Sequence, residues 1–145
     1  MNEALLPAGV VLRKLVAIWS VTMGLLSVAP ASVAEPFVVH PDARGVQSVE
    51  VSLDSYSYTP GHLVVHAGKP VLLLLRNTAL LAPHNLVLTV PQAGFQLQQE
   101  VAAGDSARVV FTPGKKGVFT FYCDKKLLFL PSHREQGMEG RLEVR

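Results

Sequence analysis

The stretch GVFTFYCDKKLLFLPSHREQGMEGRLEV, residues 117–144, contains two strand-like segments joined by a long connection. Residues 118–122 are β-branched and aromatic and follow a glycine, a composition typical of a β-strand. Leu142 and Val144 stand at alternate positions, which is the period of a strand with one buried face. We therefore predict two strands here, with Cys123 ending the first and a loop before the second.

On the N-terminal side of this stretch, the chain contains five more short apolar segments bounded by turn residues. They lie at residues 46–53, 63–66, 71–75, 86–90 and 107–111. The unbroken apolar run at 71–75 predicts a strand that is buried on both faces or central in a sandwich. Residues 93–101 are ambiguous, because their apolar positions also fit a short helix or an irregular excursion. Seven short strands without a long helical period predict an all-β domain built as a β-sandwich.

Residues 1–34 differ from the rest of the chain and have the pattern of a secretory signal. Arg13 and the lysine after it precede an apolar run over residues 15–26, and small residues follow up to Ala34. A positive flank, a short apolar core and a small-residue cleavage site occur in that order in exported proteins. We expect cleavage after Ala34 and a periplasmic or otherwise exported protein. The alternative is an uncleaved membrane anchor that starts near Val10.

The remaining residues, 35–145, suit one domain with a modest core. The whole chain has 13 Lys and Arg against 11 Asp and Glu. The leader removes Arg13, Lys14 and Glu3, which leaves 11 against 10, a formal charge of +1. This balance gives no reason to expect a nucleic-acid partner.

Cys123 is the only cysteine, so the chain cannot form an internal disulfide. In an oxidising compartment, a lone thiol is a liability unless it is buried or occupied. Taken alone, Cys123 is better explained by a buried structural residue than by a metal ligand, although a metal that binds the thiolate would also occupy it.

The neighbours of Cys123 favour the metal. His84 lies at the start of a predicted strand, and His133 and Met138 follow Cys123 in the loop before the last strand. Two imidazoles, a thiolate and a thioether are the ligand set of a type 1 copper site, which accepts both Cu(I) and Cu(II). Zinc fits less well, because a thioether is a poor zinc ligand and the usual zinc spacings are absent.

The motifs Pro83-His84-Asn85, Tyr122-Cys123, His133 and Met138-Glu139-Gly140 resemble those of the cupredoxin (blue copper) family. The resemblance extends from about Val49 to Val144. It implies a Greek-key β-sandwich that holds one type 1 copper ion, cycling between Cu(I) and Cu(II). It also implies that His84, Cys123 and His133 are equatorial ligands and Met138 the axial one. By the same resemblance, hydrogen bonds of Asn85 steady the cysteine loop.

The loop between the second and third ligands departs from the small carriers of the family. Nine residues separate Cys123 from His133, far more than in plastocyanin-like or azurin-like carriers. The interval resembles the type 1 loop of copper nitrite reductases, so a partly tetragonal, greener site is possible. The apolar run at 127–130 within this loop is expected to cover the metal or plug the sandwich, and the alternative is an exposed docking patch. We expect His133 to have an exposed edge through which the electron leaves.

The resemblance implies a one-electron carrier and no enzyme. A binuclear copper centre needs a second cysteine, and oxidase coppers need paired His-x-His ligands, and the chain has neither. Expected partners are redox proteins such as a cytochrome or a membrane oxidase or reductase, with the chain a monomer that meets the membrane only if its leader is retained. The alternative function is copper handling, delivery or tolerance. The chain has three methionines, two of them in the leader, which favours the carrier. His40, His62 and His66 are expected to be ordinary surface or strand residues.

Overall fold

Alternating apolar residues form the strands of the domain, as the sequence predicts. The computed structural model describes residues 35–145, and the predicted signal and its alternative as an anchor lie outside them. The strands are β1 (Phe37–Val38), β2 (Gln47–Asp54), β3 (Ser57–Thr59), β4 (His62–Val65), β5 (Val71–Asn77), β6 (His84–Val90), β7 (Phe95–Val101), β8 (Ser106–Phe111), β9 (Gly117–Tyr122) and β10 (Glu139–Val144). In this part of the chain the only helical segment is a single 3₁₀ turn, Pro91–Ala93. No helix of residues 35–145 is long and apolar enough to cross a bilayer.

The strands form two sheets, so the prediction of an all-β sandwich is confirmed. One sheet has six strands in the order β1-β4-β10-β9-β6-β7, and the other has four in the order β3-β2-β5-β8. Most neighbours are antiparallel, but β1 with β4, β4 with β10 and β2 with β5 run parallel. Because the parallel pairs join strands that are distant in sequence, the chain crosses repeatedly between the sheets.

The apolar core contains residues from both sheets. In β2, Val49, Val51 and Leu53 are buried while the positions between them are more exposed. Burial of each such side chain stabilises the fold by about 1.5–3 kcal/mol. β5 is an interior strand of the four-stranded sheet, which agrees with the prediction of a central strand. The alternative of burial on both faces is wrong, because Leu72 and Leu74 are only half-buried. They lie on the outer face of the four-stranded sheet, which residues 35–145 leave uncovered.

Seven of the strands match the sequence prediction, and three do not follow from it. The ambiguous segment 93–101 is the strand β7 preceded by the 3₁₀ turn, and not a helix. β1 and β3 have only two and three residues, too few for a periodic pattern to appear in the sequence.

The strand ends that carry the candidate ligands meet at one end of the sandwich. β6 begins with His84, β9 stops at Tyr122 and β10 starts at Glu139, which pairs with Tyr122. Directly beyond that pair, the amide of Cys123 donates a hydrogen bond to the carbonyl of Met138, with an N–O distance of 3.1 Å. The ladder between β9 and β10 therefore holds the two ends of the long loop together.

Candidate metal centre

Three predicted ligand residues converge at this end of the sandwich. The Nδ1 atoms of His84 and His133 are 3.0 Å apart. The Cys123 sulfur lies 3.5 Å from Nδ1 of His133 and 3.9 Å from Nδ1 of His84. All three residues are buried, and no other metal-ligating cluster of His, Cys, Asp or Glu occurs in residues 35–145.

The size of this triangle fits a first-row metal ion. A triangle with sides of 3.0, 3.5 and 3.9 Å has a circumradius of about 2.0 Å, so one point lies at that distance from all three atoms. Bonds from imidazole nitrogen and thiolate sulfur to zinc, another first-row ion, are about 2.0–2.3 Å long. A trigonal set of two imidazoles and one thiolate is the arrangement that suits copper electron-transfer sites.

The local environment keeps the imidazoles ready to bind a metal. Burial lowers the pKa of His84 below its usual 6.5, and the neighbouring His133 lowers it further. Burial also lowers the pKa of His133. Both rings are therefore neutral near pH 7, which is the form that coordinates metals. Burial raises the pKa of the Cys123 thiol, so metal binding must displace a proton from it.

Asn85 ties the cysteine loop to β6, as the family resemblance implies. Its backbone N–H points toward the Cys123 sulfur, with an N–S distance of 3.4 Å. Its side chain donates to the carboxylate of Asp124 over 2.7 Å and accepts from the Asp124 amide over 3.1 Å. These contacts orient the sulfur and would tune a metal bound to it.

Two polar residues behind the site support this arrangement. The buried hydroxyl of Tyr58 donates to the carbonyl of Asn85 over 2.5 Å, and burial strongly raises its pKa. The buried amide of Asn77 donates to the carbonyls of Ala82 and Val101, which anchors the loop before His84. The sequence prediction missed both residues. The alternation of serine and tyrosine after Asp54 could have indicated a buried Tyr58. No feature of the sequence around Asn77 indicates its role.

Met138 is fully buried, and its backbone contacts two of the clustered residues. Its amide donates to the carbonyl of His133 over 2.9 Å, and its carbonyl accepts from the amide of Cys123. The backbone of Met138 is therefore hydrogen-bonded to two of the three converging residues. Its role as axial ligand stays a prediction.

Gly140 allows β10 to pass close to the core beside the site. A Cβ atom at this position would lie 2.2 Å from Cζ of Phe121 and 3.0 Å from the carbonyl oxygen of Gly61. Phe121 is itself buried and makes an edge-to-face contact with Tyr58, at a centroid distance of 4.9 Å. A side chain at position 140 would therefore push on the residues that support Asn85.

The apolar run at 127–130 does not pack over the three clustered side chains, so the expectation that it forms a lid or plug is wrong. The exposed fractions are 78% for Leu128, 88% for Phe129 and 62% for Leu127. Leu80 and Leu81, in the loop before His84, are exposed to 93% and 91%. Leu128 has a φ of 49°, in the left-handed region, where the chain turns outward. A run of nine residues is too long for the gap between two neighbouring strands, so its middle projects into solvent.

Two of the exposed leucines, Leu81 and Leu127, line a groove of about 180 Å³ that reaches His133. Pro83 and Leu130 also line it. His133 itself is only 5% exposed. The expectation of an exposed histidine edge is therefore met only to a small extent, and the groove is the approach to it.

The remaining histidines lie away from the cluster. His40 and His66 are exposed. His62 is half-buried, and its Nε2 lies 3.1 Å from a carboxylate oxygen of Glu143 on β10. Their interpretation as surface or strand residues agrees with these positions.

Comparison with known proteins identifies one family and several solved structures. The family model described as a cupredoxin-like domain matches residues 15–137. No curated protein matches the chain in sequence.

Solved structures of copper proteins have the same fold. The metal-binding domain of the Cu(I)-exporting P-type ATPase CopA of Streptococcus pneumoniae D39 has a TM-score of 0.60 at 15% identity, covering 79% of this chain and 99% of that one. Auracyanin B has a TM-score of 0.57 at 23% identity, covering 74% and 94%. Auracyanin A, a "blue" copper protein of Chloroflexus aurantiacus, has a TM-score of 0.55 at 19% identity, covering 70% and 100%. At these identities the likeness establishes the fold.

Proposed function

The chain belongs to the cupredoxin-like family, whose members bind copper, and from this premise we propose that it is a one-electron carrier with one type 1 copper ion. His84, Cys123 and His133 are the equatorial ligands and Met138 the axial one. The observation that carries the proposal is the buried triangle of two Nδ1 atoms and one sulfur, with sides of 3.0–3.9 Å. When bound, the copper supplies a Cu(I)/Cu(II) couple.

The protein's own residues set the conditions for such a couple. The strand ends and the β9–β10 ladder hold the donor atoms in place, so little movement accompanies a change of charge at the site. The hydrogen bonds of Asn85 orient the sulfur and the loop after it. Four protein donors leave no open position for a substrate, which supports a carrier in preference to an enzyme.

The groove above His133 and its exposed leucines supply the docking surface for a redox partner. An exposed apolar patch of this kind on a soluble domain marks an interaction site. The partner we propose is a redox protein, such as a cytochrome or a membrane oxidase or reductase, with an apolar face around its own cofactor. The contact is small and transient, as electron-transfer encounters are. The leader at 1–34 supports an exported location, with the domain working as a monomer.

Copper handling is the second candidate function. The fold likeness to a domain of a Cu(I)-exporting ATPase favours it. Because both functions use the same donors, the rate of copper release separates them. A carrier keeps its copper through repeated redox cycles, whereas a handling protein yields Cu(I) to a competing chelator.

Titration of the metal-free protein with Cu(II) tests the proposal. We expect one equivalent to produce a strong visible absorption band from charge transfer between the Cys123 thiolate and copper. The Cys123→Ser protein should lose the band, because a hydroxyl gives no such transition. A wild-type protein that binds Cu(II) stoichiometrically and stays colourless contradicts the type 1 assignment.

A further inference from the structure

The hairpin between β2 and β3 places an aromatic ring on a proposed ligand. Its two central residues, Ser55 and Tyr56, have φ angles of 35° and 67°. Two-residue hairpins with positive φ at both positions strongly favour Asn-Gly and similar pairs, because side chains with a Cβ are strained there. A tyrosine at this position is therefore unfavourable for the turn itself.

The Tyr56 ring has a contact that accounts for its presence in the turn. It meets the His133 ring edge to face, with centroids 5.1 Å apart and planes at 78°. The His133 ring also lies 4.8 Å from that of His84. His133 therefore contacts both Tyr56 and another member of the donor triangle. A strained residue that persists beside a functional group is evidence of a role there.

The contacts of His133 show which part of its ring Tyr56 supports. The backbone is held by hydrogen bonds from its amide to the carbonyl of Lys125 and from the Met138 amide to its carbonyl. In the ring, Nδ1 lies 3.0 Å from Nδ1 of His84 and 3.5 Å from the Cys123 sulfur, and these are the atoms that a bound metal would separate. Leu128 and Phe129 of the neighbouring apolar run are mostly exposed, so the edge-to-face contact with Tyr56 is a support of the ring that does not depend on the donor atoms.

We infer that Tyr56 is a positioning residue, which packs on the His133 ring and slows the departure of the metal from it. This inference rests on the proposed ligand role of His133. The contact uses the faces and edges of the two rings, so the tyrosine hydroxyl is dispensable. Without the ring, His133 can rotate toward the groove and open the donor triangle.

The variants Tyr56→Ala, Tyr56→Gly and Tyr56→Phe test this inference in the exported protein loaded with Cu(II). We expect Tyr56→Ala to lose copper to excess EDTA about 10–100 times faster than wild type, because removal of groups that orient metal ligands lowers metal affinity by about that factor. Tyr56→Phe keeps the ring and should match wild type. Tyr56→Gly suits the left-handed turn but lacks the ring, so it should release copper as fast as Tyr56→Ala with the hairpin intact. Val118→Ser, which changes an exposed side chain of β9 outside the groove, is the control and should match wild type.

NMR relaxation of the His133 ring in the metal-free protein gives a second readout that needs no copper. We expect faster ring motion in Tyr56→Ala and Tyr56→Gly, and unchanged motion in Tyr56→Phe. If the wild type lacks the thiolate band, the proposed function fails, while the ring motion still tests the packing role. If the band is present and Tyr56→Gly retains copper as wild type does, the inference about Tyr56 is overturned.

Discussion

The Nδ1 atoms of His84 and His133 lie 3.0 Å apart although 49 positions separate the residues in the chain. Two neutral imidazole nitrogens at this distance, with a sulfur on a third corner, offer a metal ion three donors at once. The arrangement depends on the pairing of β6, β9 and β10, because each donor stands at the end of one of these strands or in the loop between them. Variants of the four candidate ligands and of Gly140 therefore test different parts of one site.

The axial ligand is tested through the reduction potential. Met138→Leu should keep copper and raise the potential, because loss of a weak soft donor destabilises Cu(II) relative to Cu(I), and Met138→Gln should lower it. A shift on the order of 59 mV would correspond to a tenfold change in the ratio of the two oxidation states. Redox titration followed by the visible band measures both. Potentials that stay at the wild-type value in both variants would exclude Met138 as the axial ligand.

The exposed loop is tested by Phe129→Ser. Because Phe129 is 88% exposed, we expect the potential, the copper retention and the stability to remain as in wild type, with the free energy of unfolding within about 0.5 kcal/mol. Electron exchange with a partner should slow, since the variant removes apolar docking surface. Phe121→Ala, which empties a buried position, is the control and should lose about 3–5 kcal/mol. A lower potential in Phe129→Ser would mean that the loop shields the metal after all.

The close approach of β10 is tested by Gly140→Ala. The new Cβ would collide with Phe121 and touch the carbonyl of Gly61, and overpacking of this kind costs about 1–3 kcal/mol. Gly114→Ala is the control, because a Cβ there has no atom within 4 Å and the backbone is unstrained. Denaturant unfolding of the metal-free proteins gives both values. Equal stability of the two variants would show that the strand shifts to admit the methyl group without strain.

The metal-free protein should be most stable between about pH 6.5 and 9. Folding lowers the pKa of His84 and His133 from 6.5, so the unfolded chain binds more protons as the pH falls through that value, and stability declines. Folding raises the pKa of Cys123 from 9.0, so above that pH the unfolded chain has lost a proton that the native state retains, and stability again declines. Urea unfolding at a series of pH values measures the profile. In His84→Gln the free energy of unfolding should fall less steeply as the pH drops below 6.5. A wild-type protein whose free energy of unfolding does not fall in that range would show that the imidazoles are not buried in neutral form.

Much of the sandwich was predictable from sequence, because most strands carry their own alternating pattern. β2 and β8 are examples, with the more buried apolar side chains at alternate positions. The three converging residues were equally visible, since one cysteine and two well-spaced histidines stand in an informative order. The role of Met138 stays a prediction.

The surroundings of the donors could not be predicted in the same way. Tyr56 and Leu128 adopt positive φ angles that their residue types disfavour, so no local preference indicates them. The burial of the 127–130 run was predicted wrongly because apolar composition alone cannot tell a packed segment from a projecting one. That distinction depends on the width of the gap between β9 and β10, which only the tertiary structure defines.

The distribution of the donors over the chain has a consequence for how the protein matures. His84 precedes β7 and β8, and the other three candidate ligands follow them. The complete site therefore exists only when both halves of the chain are present and the sheet has closed. We expect metal to enter a folded domain, in contrast to small zinc domains, whose folding free energy comes from the ion. Any chaperone or oxidant acting on this protein before metallation would meet a finished scaffold with a protonated thiol already sequestered inside it.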